Sequence, residues 1–299
     1  MVDVIIAGGG VAGLSAALVL GRCRRRVLVC DAGRPRNAAS RALHGFLTRD
    51  GIPPLDLLRL ARRELAAYDT VEIRDVEIVD AVRDEDGFLA TLATGDRCRA
   101  RKLLVATGVV DRVPPLEGLA PLYGRSVFHC PYCDAWEVRD QPLAAYGRGR
   151  RGAGLALELT VWSRDLVLLT DGPADLDAEA IGRLARHGIA VRDTPIARLD
   201  GRDGRLERVV FTDGTALARR ALFLATGQAM QSGLAARLGC ELTEKGVVRT
   251  AAYEKTRIPG LYVAGDASGM VQLAIVAAAE GAQAAFAINT ELTEEDLQA

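Results

Sequence analysis

Short apolar runs alternate with a segment of helical spacing at the start of the chain. Residues 2–7, VDVIIA, have the character of a buried strand, and LSAALVLGRCRR further on has the apolar spacing of a helix. The glycine cluster GGGVAG separates the two, and a second apolar run, RVLVCD, follows the helical segment. This order predicts a strand, a tight turn, a helix and a second strand.

The period of the pattern changes further along the chain. Apolar and polar residues alternate in VEIRDVEIVDAV and in GFLATLATGDRCRARKLLVATG, with turn-forming stretches at DEDG and TGD. Period-two alternation with such turns predicts an antiparallel meander. Residues 56–68 and the alanine-rich residues 271–289 have helical character, and Glu280 argues against a membrane-spanning helix in the latter.

A later part of the chain repeats the first. LAAYGRGRRGAGLALEL places Gly147, Gly149 and Gly152 between a short strand and a helix, and the strand-like DLVLLTD follows. The two copies end in nearly the same hexad, LLVATG at 103–108 and LFLATG at 222–227. Two similar units at this long spacing predict an α/β protein with two Rossmann-like dinucleotide-binding domains rather than a solenoid.

The first glycine cluster has the surroundings that nucleotide binding requires. Gly8, Gly10 and Gly13 follow a strand and open a helix, and Asp31 ends the next strand. In a G-x-G-x-x-G turn, one glycine makes the bend, one lets the backbone approach a diphosphate and one lets the helix pack on the strand. The helix N-terminus attracts the phosphates, and the acidic residue binds a ribose hydroxyl. The pattern therefore predicts that a dinucleotide binds here.

Composition excludes several classes of protein. The 299 residues are 49% hydrophobic, and a formal net charge of −1 gives no electrostatic basis for binding nucleic acid or an anionic membrane. Six cysteines are too few for a disulfide-stapled secreted domain of this length. Because no basic leader with a cleavage site opens the chain, we expect a cytoplasmic protein.

Two of the cysteines lie close together in HCPYCDAWE, residues 129–137. Cys130 takes a helix N-cap position with Pro131 at the first helical position, and Cys133 lies on the same face of that turn. Free backbone amides there favour a thiolate, which suits reversible disulfide chemistry. The alternatives are a zinc site and a pair of inert core cysteines. Zinc needs four ligands, and His129 with the two cysteines supplies at most three, so we predict no metal.

In combination, these motifs resemble those of low-molecular-weight thioredoxin reductases and their flavoprotein relatives over nearly the whole chain. The shared features are, in order, GGGVAG, the first ATG, the CxxCD, the second G-x-G-x-x-G and TRIPGLYVAGD. The resemblance implies a discontinuous FAD-binding domain, residues 1–112 and 229–299, with an inserted NAD(P)H-type domain, residues 113–228, that carries the CxxC. Both domains would be three-layer ββα structures, and the protein would be a homodimer.

The same resemblance assigns residues to the FAD. Those placed along the cofactor are Thr107, Gly108, Gly265, Asp266, Gln272 and Ala274. Asp266 would hydrogen-bond the ribityl chain, although as a helix cap it would have a purely structural role. The N-terminus of the last helix would point at the flavin ring, where its positive dipole stabilises the reduced, anionic form. This chain reads Gln272-Leu273-Ala274 where the resembling reductases usually read Arg-Gln-Ala, so the arginine of that position is replaced.

For the cysteine pair, the resemblance implies distinct roles. Cys133 would face the flavin, Cys130 would attack an external disulfide, and Asp134 would donate or accept the proton of the leaving thiolate. The external partner would be a thioredoxin-like protein or a small-molecule dithiol or disulfide. A carboxylate beside the pair opposes thiolate formation, so its protonation should be coupled to that of the thiols. His44 and His129 stay open between structural roles and roles at this site.

The second glycine turn departs from the resembling reductases at the point that would select the nucleotide. Where they carry a basic cluster for the 2′-phosphate of NADPH, this chain reads LLTDGPADLDAE, with Asp171 at the strand end. An acidic residue repels that phosphate and suits the ribose hydroxyls of NADH. Arg148, Arg150 and Arg151 occupy variable positions of the turn. They either bind phosphates or fill the groove and exclude the nucleotide, so the use of NADH or NADPH is left undecided.

The sequence therefore supports an FAD enzyme that passes two electrons between the flavin, the Cys130–Cys133 disulfide and an external thiol or disulfide. One hypothesis is a reductase like thioredoxin reductase, driven by NADH or by another donor. The alternative is an oxygen-dependent oxidase that forms disulfides in dithiols, or a ferredoxin-linked disulfide reductase. A third hypothesis is a flavin-binding scaffold without turnover, and the intact CxxCD argues against it.

Overall fold

The computed structural model describes residues 1–298, which form seventeen strands, seven α-helices and five 3₁₀-helices. The strands are β1 (Val2–Ala7), β2 (Val27–Cys30), β3 (Val71–Arg74), β4 (Ile78–Asp84), β5 (Gly87–Leu92), β6 (Arg97–Val105), β7 (Val109–Asp111), β8 (Val127–Phe128), β9 (Leu143–Tyr146), β10 (Leu166–Leu169), β11 (Ala190–Arg192), β12 (Ile196–Arg202), β13 (Arg205–Phe211), β14 (Ala216–Ala218), β15 (Ala221–Leu224), β16 (Gln228–Met230) and β17 (Leu261–Val263). The α-helices are α1 (Val11–Arg22), α2 (Pro54–Leu65), α3 (Pro131–Asp134), α4 (Gly149–Glu158), α5 (Ala178–Arg186), α6 (Leu234–Arg237) and α7 (Ala274–Gln298). The 3₁₀-helices are Ala120–Leu122, Trp136–Val138, Leu159–Val161, Ala252–Glu254 and Gly265–Ala267. None of the helices within residues 1–298 combines the length and the apolar composition needed to cross a membrane.

The chain divides into two compact units. The first comprises residues 1–38, residues 45–110 and the chain from Gln228 onward, and the second comprises residues 39–44 and 111–227. Each unit has a parallel sheet whose main helices pack on one face and whose antiparallel strands pack on the other. This is the three-layer ββα arrangement of a Rossmann-like domain, so the predicted fold class is confirmed.

The sheet of the first unit is parallel in one part and antiparallel in the other. Strands β3, β2, β1 and β6 are adjacent in that order, and β17 pairs with the C-terminal half of β6. The N-terminal half of β6 joins β5 and β4 in the antiparallel meander expected from the period-two pattern. In β1, Val4 and Ile6 contribute to the core formed with α1 and α7, whereas Ile5 and Ala7 contribute to the core beneath the meander. A continuous apolar run forms this strand because both of its faces are buried.

Helices α1 and α7 pack closely in the first unit because small residues face each other where they meet. A Cβ atom on Gly281 would lie 2.0 Å from the backbone oxygen of Ala12. Further along α7, the buried ammonium group of Lys102 on β6 lies 3.2 Å from Glu291 and 2.5 Å from Glu295. These contacts hold α7 against both α1 and the sheet.

The second unit repeats the arrangement with shorter elements. Its parallel sheet has the order β11, β10, β9, β15 and β8, and β12, β13 and β14 form a separate antiparallel sheet. Phe128, Leu168 and Phe223 pack on the face that carries α4 and α5. Leu169 and Leu222 pack on the opposite face against the antiparallel strands. Strands β7 and β16, of which β16 belongs to the first unit, form a separate two-stranded sheet.

Candidate active site

The first glycine turn leaves an open approach to the start of α1. Gly8 has φ +112°, and Gly13 packs so tightly that a Cβ atom there would lie 2.0 Å from the backbone oxygen of Gly8. A Cβ atom on Gly10, by contrast, would meet no described atom within 4 Å. The outer two glycines therefore serve the bend and the helix packing, and the middle one leaves room for a ligand at the helix N-terminus.

We expect Gly13→Ala and Gly10→Ala to separate folding from ligand binding. The methyl group at Gly13 would collide with backbone, so it should lower the free energy of unfolding by about 1–3 kcal/mol. The methyl group at Gly10 would meet open space, so this variant should keep its stability and bind FAD more weakly. Thermal unfolding of the two apoproteins, followed by FAD titration, measures both effects. Equal loss of stability in the two variants would contradict these roles.

Asp31 and Thr107 follow the strands on either side of this turn. The Asp31 carboxylate accepts a hydrogen bond from the backbone N–H of Gly33 at 3.0 Å and forms an ion pair with Arg62. The Thr107 hydroxyl is buried and has no hydrogen-bond partner within residues 1–298, and Gly108 beside it has φ +69°. A buried hydroxyl of this kind needs a partner from outside the chain. Together with the open space at the glycine turn, it fits an FAD bound along this edge of the sheet.

The turn after β17 joins three of the residues expected at the flavin. The N–H of Gly265, which has φ +76°, donates a hydrogen bond to Glu280 Oε2 at 2.8 Å. The Asp266 carboxylate lies 2.8 Å from a guanidinium nitrogen of Arg36. The backbone oxygen of Asp266 accepts a hydrogen bond from the side chain of Gln272 at 3.3 Å. Charged and amide groups therefore converge on this turn.

The same turn lies beside the starts of two helices. A Cβ atom on Gly265 would lie 2.9 Å from the Cβ of Ala12 in α1 and 3.7 Å from the Cβ of Ala277 in α7. Asp266 does not act as the cap of α7, because that helix begins only at Ala274. The positive ends of both helix dipoles therefore flank the turn, which suits a cofactor that carries negative charge.

Sequence analysis missed three charged residues of this site. Arg36 binds Asp266, Arg62 binds Asp31, and Glu280 binds the backbone of the turn after β17. Arg36 and Asp266 are 230 positions apart in the chain, so no local spacing connects them. In the sequence, Glu280 indicates only a charge within an otherwise apolar helix.

Cys130 and Cys133 form a disulfide at the start of α3 in the second unit. Cys130 is the N-cap residue, Pro131 is the first helical residue, and the Cys130 sulfur accepts a hydrogen bond from the N–H of Cys133 at 3.1 Å. Across residues 1–298, no group of three or more His, Cys, Asp or Glu side chains is arranged to hold a metal ion. The disulfide makes the pair a candidate redox centre, which reduction converts into two neighbouring thiols.

Asp134 ends α3 directly after the second cysteine. The pKa of its carboxyl group is raised to about 7, mainly by burial and also by the charge of Glu137, while the charge of His44 acts in the opposite direction. The Nε2 atom of His44 lies 3.5 Å from the carboxylate of Glu137. A carboxyl group that titrates near neutral pH can both give and take a proton, as thiol chemistry requires. The structure therefore places His44 in the charge cluster around this acid.

His129, which precedes the first cysteine, belongs to a different cluster. Its Nδ1 atom lies 3.4 Å from the carboxylate of Asp111, and the Tyr123 hydroxyl donates a hydrogen bond to the same carboxylate at 3.0 Å. These contacts orient the imidazole ring at the end of β8, next to the disulfide.

The second glycine turn is bonded to its own chain. Arg148, the N-cap residue of α4, donates from Nε to the backbone oxygen of Thr170 at 2.9 Å and from a second nitrogen to the backbone oxygen of Asp171. The N–H of Gly149 donates to the backbone oxygen of Ala174 at 2.8 Å. The Arg148 guanidinium and the Gly149 N–H therefore bind the loop after β10. In a nucleotide-binding turn, groups at these positions would face a diphosphate and a ribose.

Asp171 is also engaged within the second unit. Its carboxylate accepts hydrogen bonds from the Tyr146 hydroxyl at 3.0 Å and from the backbone N–H of Ile196 at 2.7 Å. The outer glycines of the turn keep their packing roles, since a Cβ atom on Gly152 would lie 2.4 Å from the backbone oxygen of Gly147. The turn thus keeps the glycine packing of a nucleotide-binding turn, while the Arg148 side chain and the Gly149 N–H are bonded to the loop after β10.

Comparison with known proteins adds the following. Residues 2–281 match the protein family described as pyridine nucleotide-disulphide oxidoreductase. Thioredoxin reductase tcpT of Claviceps purpurea is 31% identical, over 91% of this chain and 88% of its own length. The crystal structure of HlmI matches with a TM-score of 0.95 and 36% identity, covering 99% of this chain and 94% of HlmI. The oxidoreductase from Agrobacterium tumefaciens matches with a TM-score of 0.90 and 32% identity, covering 98% of each chain.

Proposed function

Because the chain belongs to the pyridine nucleotide-disulphide oxidoreductase family and is an FAD-dependent oxidoreductase, we propose that it exchanges electrons between FAD, the Cys130–Cys133 disulfide and an external thiol or disulfide. The observation that carries the proposal is the disulfide itself, formed at a helix start with Asp134, an acid of raised pKa, directly after it. FAD, when bound, supplies a carrier for two electrons. The relative named thioredoxin reductase tcpT supports a disulfide as the class of substrate.

The residues of the second unit have distinct roles in this proposal. In the reducing direction, the Cys130 thiolate attacks one sulfur of an external disulfide, forms a mixed disulfide with it and expels the other sulfur as a thiolate. Asp134, which is protonated below about pH 7, gives that thiolate its proton. Cys133 then attacks Cys130, which re-forms the internal disulfide and releases the second external thiol. The reverse sequence oxidises an external dithiol, and Asp134 accepts the proton.

Exposed aromatic side chains beside the disulfide support an external partner. Tyr132, between the two cysteines, is 68% exposed, and Trp136 is 63% exposed. The guanidinium of Arg139 lies 4.1 Å from the centre of the exposed Trp136 ring. Such surfaces suit contact with a thioredoxin-like protein or with a small-molecule dithiol or disulfide.

A second candidate function, which does not use a nicotinamide nucleotide, is favoured by the side chain of Arg148. That side chain spans the end of β10 through its bonds to Thr170 and Asp171, where the adenosine ribose of a nucleotide would lie. An oxidase that passes electrons from small dithiols to oxygen needs no nucleotide in this unit. Neither does a disulfide reductase that takes electrons from ferredoxin. A reductase driven by NADH or NADPH requires Arg148 to leave this position.

Anaerobic mixing of the holoenzyme with single electron donors distinguishes these functions. We expect the visible absorbance of the flavin to persist with NADH and with NADPH, and to bleach with excess dithiothreitol, which shows that the same sample is active. Oxygen uptake with a small dithiol then identifies the oxidase, and bleaching by reduced ferredoxin identifies the ferredoxin-linked reductase. Fast bleaching by either nucleotide would contradict the nucleotide-independent function and support a disulfide reductase driven by NADH or NADPH. Failure of every donor, dithiol included, would contradict both.

Two variants of the second glycine turn extend this experiment, one as the test and the other as its matched control. Arg148→Ala removes the side chain that covers the strand end, so it should accelerate bleaching by NADH relative to the wild type. Arg150→Ala removes a neighbouring arginine whose side chain is 92% exposed, so it should leave the rate unchanged. Equal rates in the two variants would show that Arg148 does not exclude the nucleotide.

A homodimer and a cytoplasmic location complete the proposal. On α7, the ring of Phe286, 60% exposed, lies 6.0 Å from that of Tyr253, 49% exposed. An exposed aromatic pair of this kind supports contact between two copies of the chain.

The free cysteines support the cytoplasmic location. The cysteines outside the redox pair are free, and Cys23 is exposed, which fits a compartment that keeps thiols reduced.

A further inference from the structure

Arg36 connects three residues that lie far from it in the chain. It belongs to the loop after β2, and its side chain is 14% exposed. Its Nη1 atom lies 2.8 Å from the Asp266 carboxylate and 2.8 Å from Gln272 Oε1, and its Nη2 atom lies 3.3 Å from Gln228 Oε1. The guanidinium thus lies beside the Gly265–Asp266 turn and just before the start of α7.

Carboxyl groups converge on the turn that Arg36 reaches. Asp266 is 21% exposed, and Glu280 accepts a hydrogen bond from the backbone of the same turn. Burial raises the pKa of Glu280, and the nearby charge of Asp266 adds to the rise. FAD brings further negative charge, on its diphosphate and on the flavin ring when that ring is reduced. A cofactor of this charge next to the Asp266 carboxylate is stabilised by a cation close to both.

The geometry points to Arg36 as the positioning residue that holds the anionic part of FAD in the first unit. It fixes the Asp266 carboxylate and the Gln272 side chain with one guanidinium and offsets the negative charge of the carboxylate toward the cofactor. Its guanidinium contacts Gln272, which stands where the resembling reductases usually carry an arginine. The inference rests on the proposed function, because it requires FAD to bind in this unit.

The dissociation constant of oxidised FAD and the midpoint potential of the bound flavin test this role. If the guanidinium interacts with the diphosphate, we expect Arg36→Gln to raise the dissociation constant about tenfold or more and to leave the potential unchanged. If the guanidinium instead interacts with the reduced ring, we expect the midpoint potential to fall by about 30 mV. This shift corresponds to a tenfold loss of affinity for reduced flavin relative to oxidised flavin. Either result supports Arg36 as the cation of the site.

Two further variants separate a positioning role from a general effect on the loop. Arg34→Gln changes an arginine that is 58% exposed and pairs with Glu77, so both quantities should stay at the wild-type values. In the double variant Arg36→Gln/Gln272→Arg, the new guanidinium starts from a side chain that lies 2.8 Å from the old one. This variant should recover most of the affinity or potential that Arg36→Gln loses.

Several results would overturn the inference. They are wild-type values of both quantities in Arg36→Gln, an equal effect of Arg34→Gln, and no recovery in the double variant. If Arg36→Gln does not fold, Arg36→Lys decides, because lysine keeps the charge but cannot bind two acceptors in the same geometry. It should raise the dissociation constant severalfold or lower the potential, and unchanged values would overturn the role. A wild-type protein that binds no FAD would instead contradict the proposed function itself.

Discussion

Replacing Cys133 by serine is expected to lower the rate of thiol–disulfide exchange by about a thousandfold or more. A serine hydroxyl cannot form a disulfide with Cys130, so the pair can no longer store two electrons. FAD should remain bound, because Cys133 lies in the second unit and the residues that fit FAD lie in the first. Turnover with a small dithiol or disulfide, measured together with the visible absorbance of the flavin, checks both parts of this prediction.

Cys23→Ser is the matched control for that variant. Cys23 is a free, exposed cysteine at the end of α1, so its replacement removes a thiol without touching the redox pair. Its turnover should equal that of the wild type. Wild-type turnover in Cys133→Ser would show that the disulfide takes no part in the reaction. Equal losses of turnover in both variants would indicate a general effect of removing a thiol.

Replacing Asp134 by asparagine is expected to lower turnover about a hundredfold or more near neutral pH. Asparagine has nearly the same size but cannot exchange the proton. Burial raises the pKa of Asp134 to about 7, so the acid is protonated below that pH and ionised above it. The rate of reduction of an external disulfide should therefore fall as the pH rises through 7, and the rate of dithiol oxidation should rise. In Asp134→Asn this inflection should be absent from the pH profile.

The neighbours of Asp134 allow the inflection to be moved in both directions. The charge of Glu137 raises the pKa of Asp134, so Glu137→Gln should shift the inflection to lower pH. The charge of His44 lowers that pKa, so His44→Gln should shift it to higher pH. An inflection that stays fixed in both variants and persists in Asp134→Asn would assign the titration to another group.

The elements that sequence analysis predicted best are those in which burial alone determines the structure. The run VDVIIA corresponds to β1, Val2–Ala7, because both faces of that strand are covered and every position must be apolar. The last helix was predicted over residues 271–289 and extends instead over Ala274–Gln298. Its final turns are polar, and ion pairs of Glu295 with Lys102 hold them against the sheet. Such pairs join distant positions, so no local pattern reveals them.

The candidate site shows the same division. Local spacing was enough to identify the bend at Gly8, the packing of Gly13 and the helix start that bears the cysteines. The contact between Arg36 and Asp266 depends on how a loop folds over a turn 230 positions away. The interactions that adjust the charge of the site are therefore the ones that require the structure.

The direction of the Arg148 side chain could not be predicted from the turn in which it lies. Sequence analysis left open whether the arginines of that turn bind phosphates or fill the groove. In the structure, the backbone oxygens of Thr170 and Asp171 bind the guanidinium, and they become acceptors only because the loop after β10 turns back toward α4. The conformation of that loop, rather than the glycine spacing, determines what the turn can bind.

The exchange of electrons between bound FAD and the Cys130–Cys133 pair is tested most directly by an anaerobic reductive titration of the wild type and of Cys133→Ser. The measured quantity is the number of reducing equivalents taken up per bound FAD before the flavin absorbance is fully bleached. If the disulfide shares electrons with the flavin, the wild type will take up twice as many equivalents as the variant, because the disulfide accepts as many electrons as the flavin. Equal uptake by the two proteins would contradict an exchange between them.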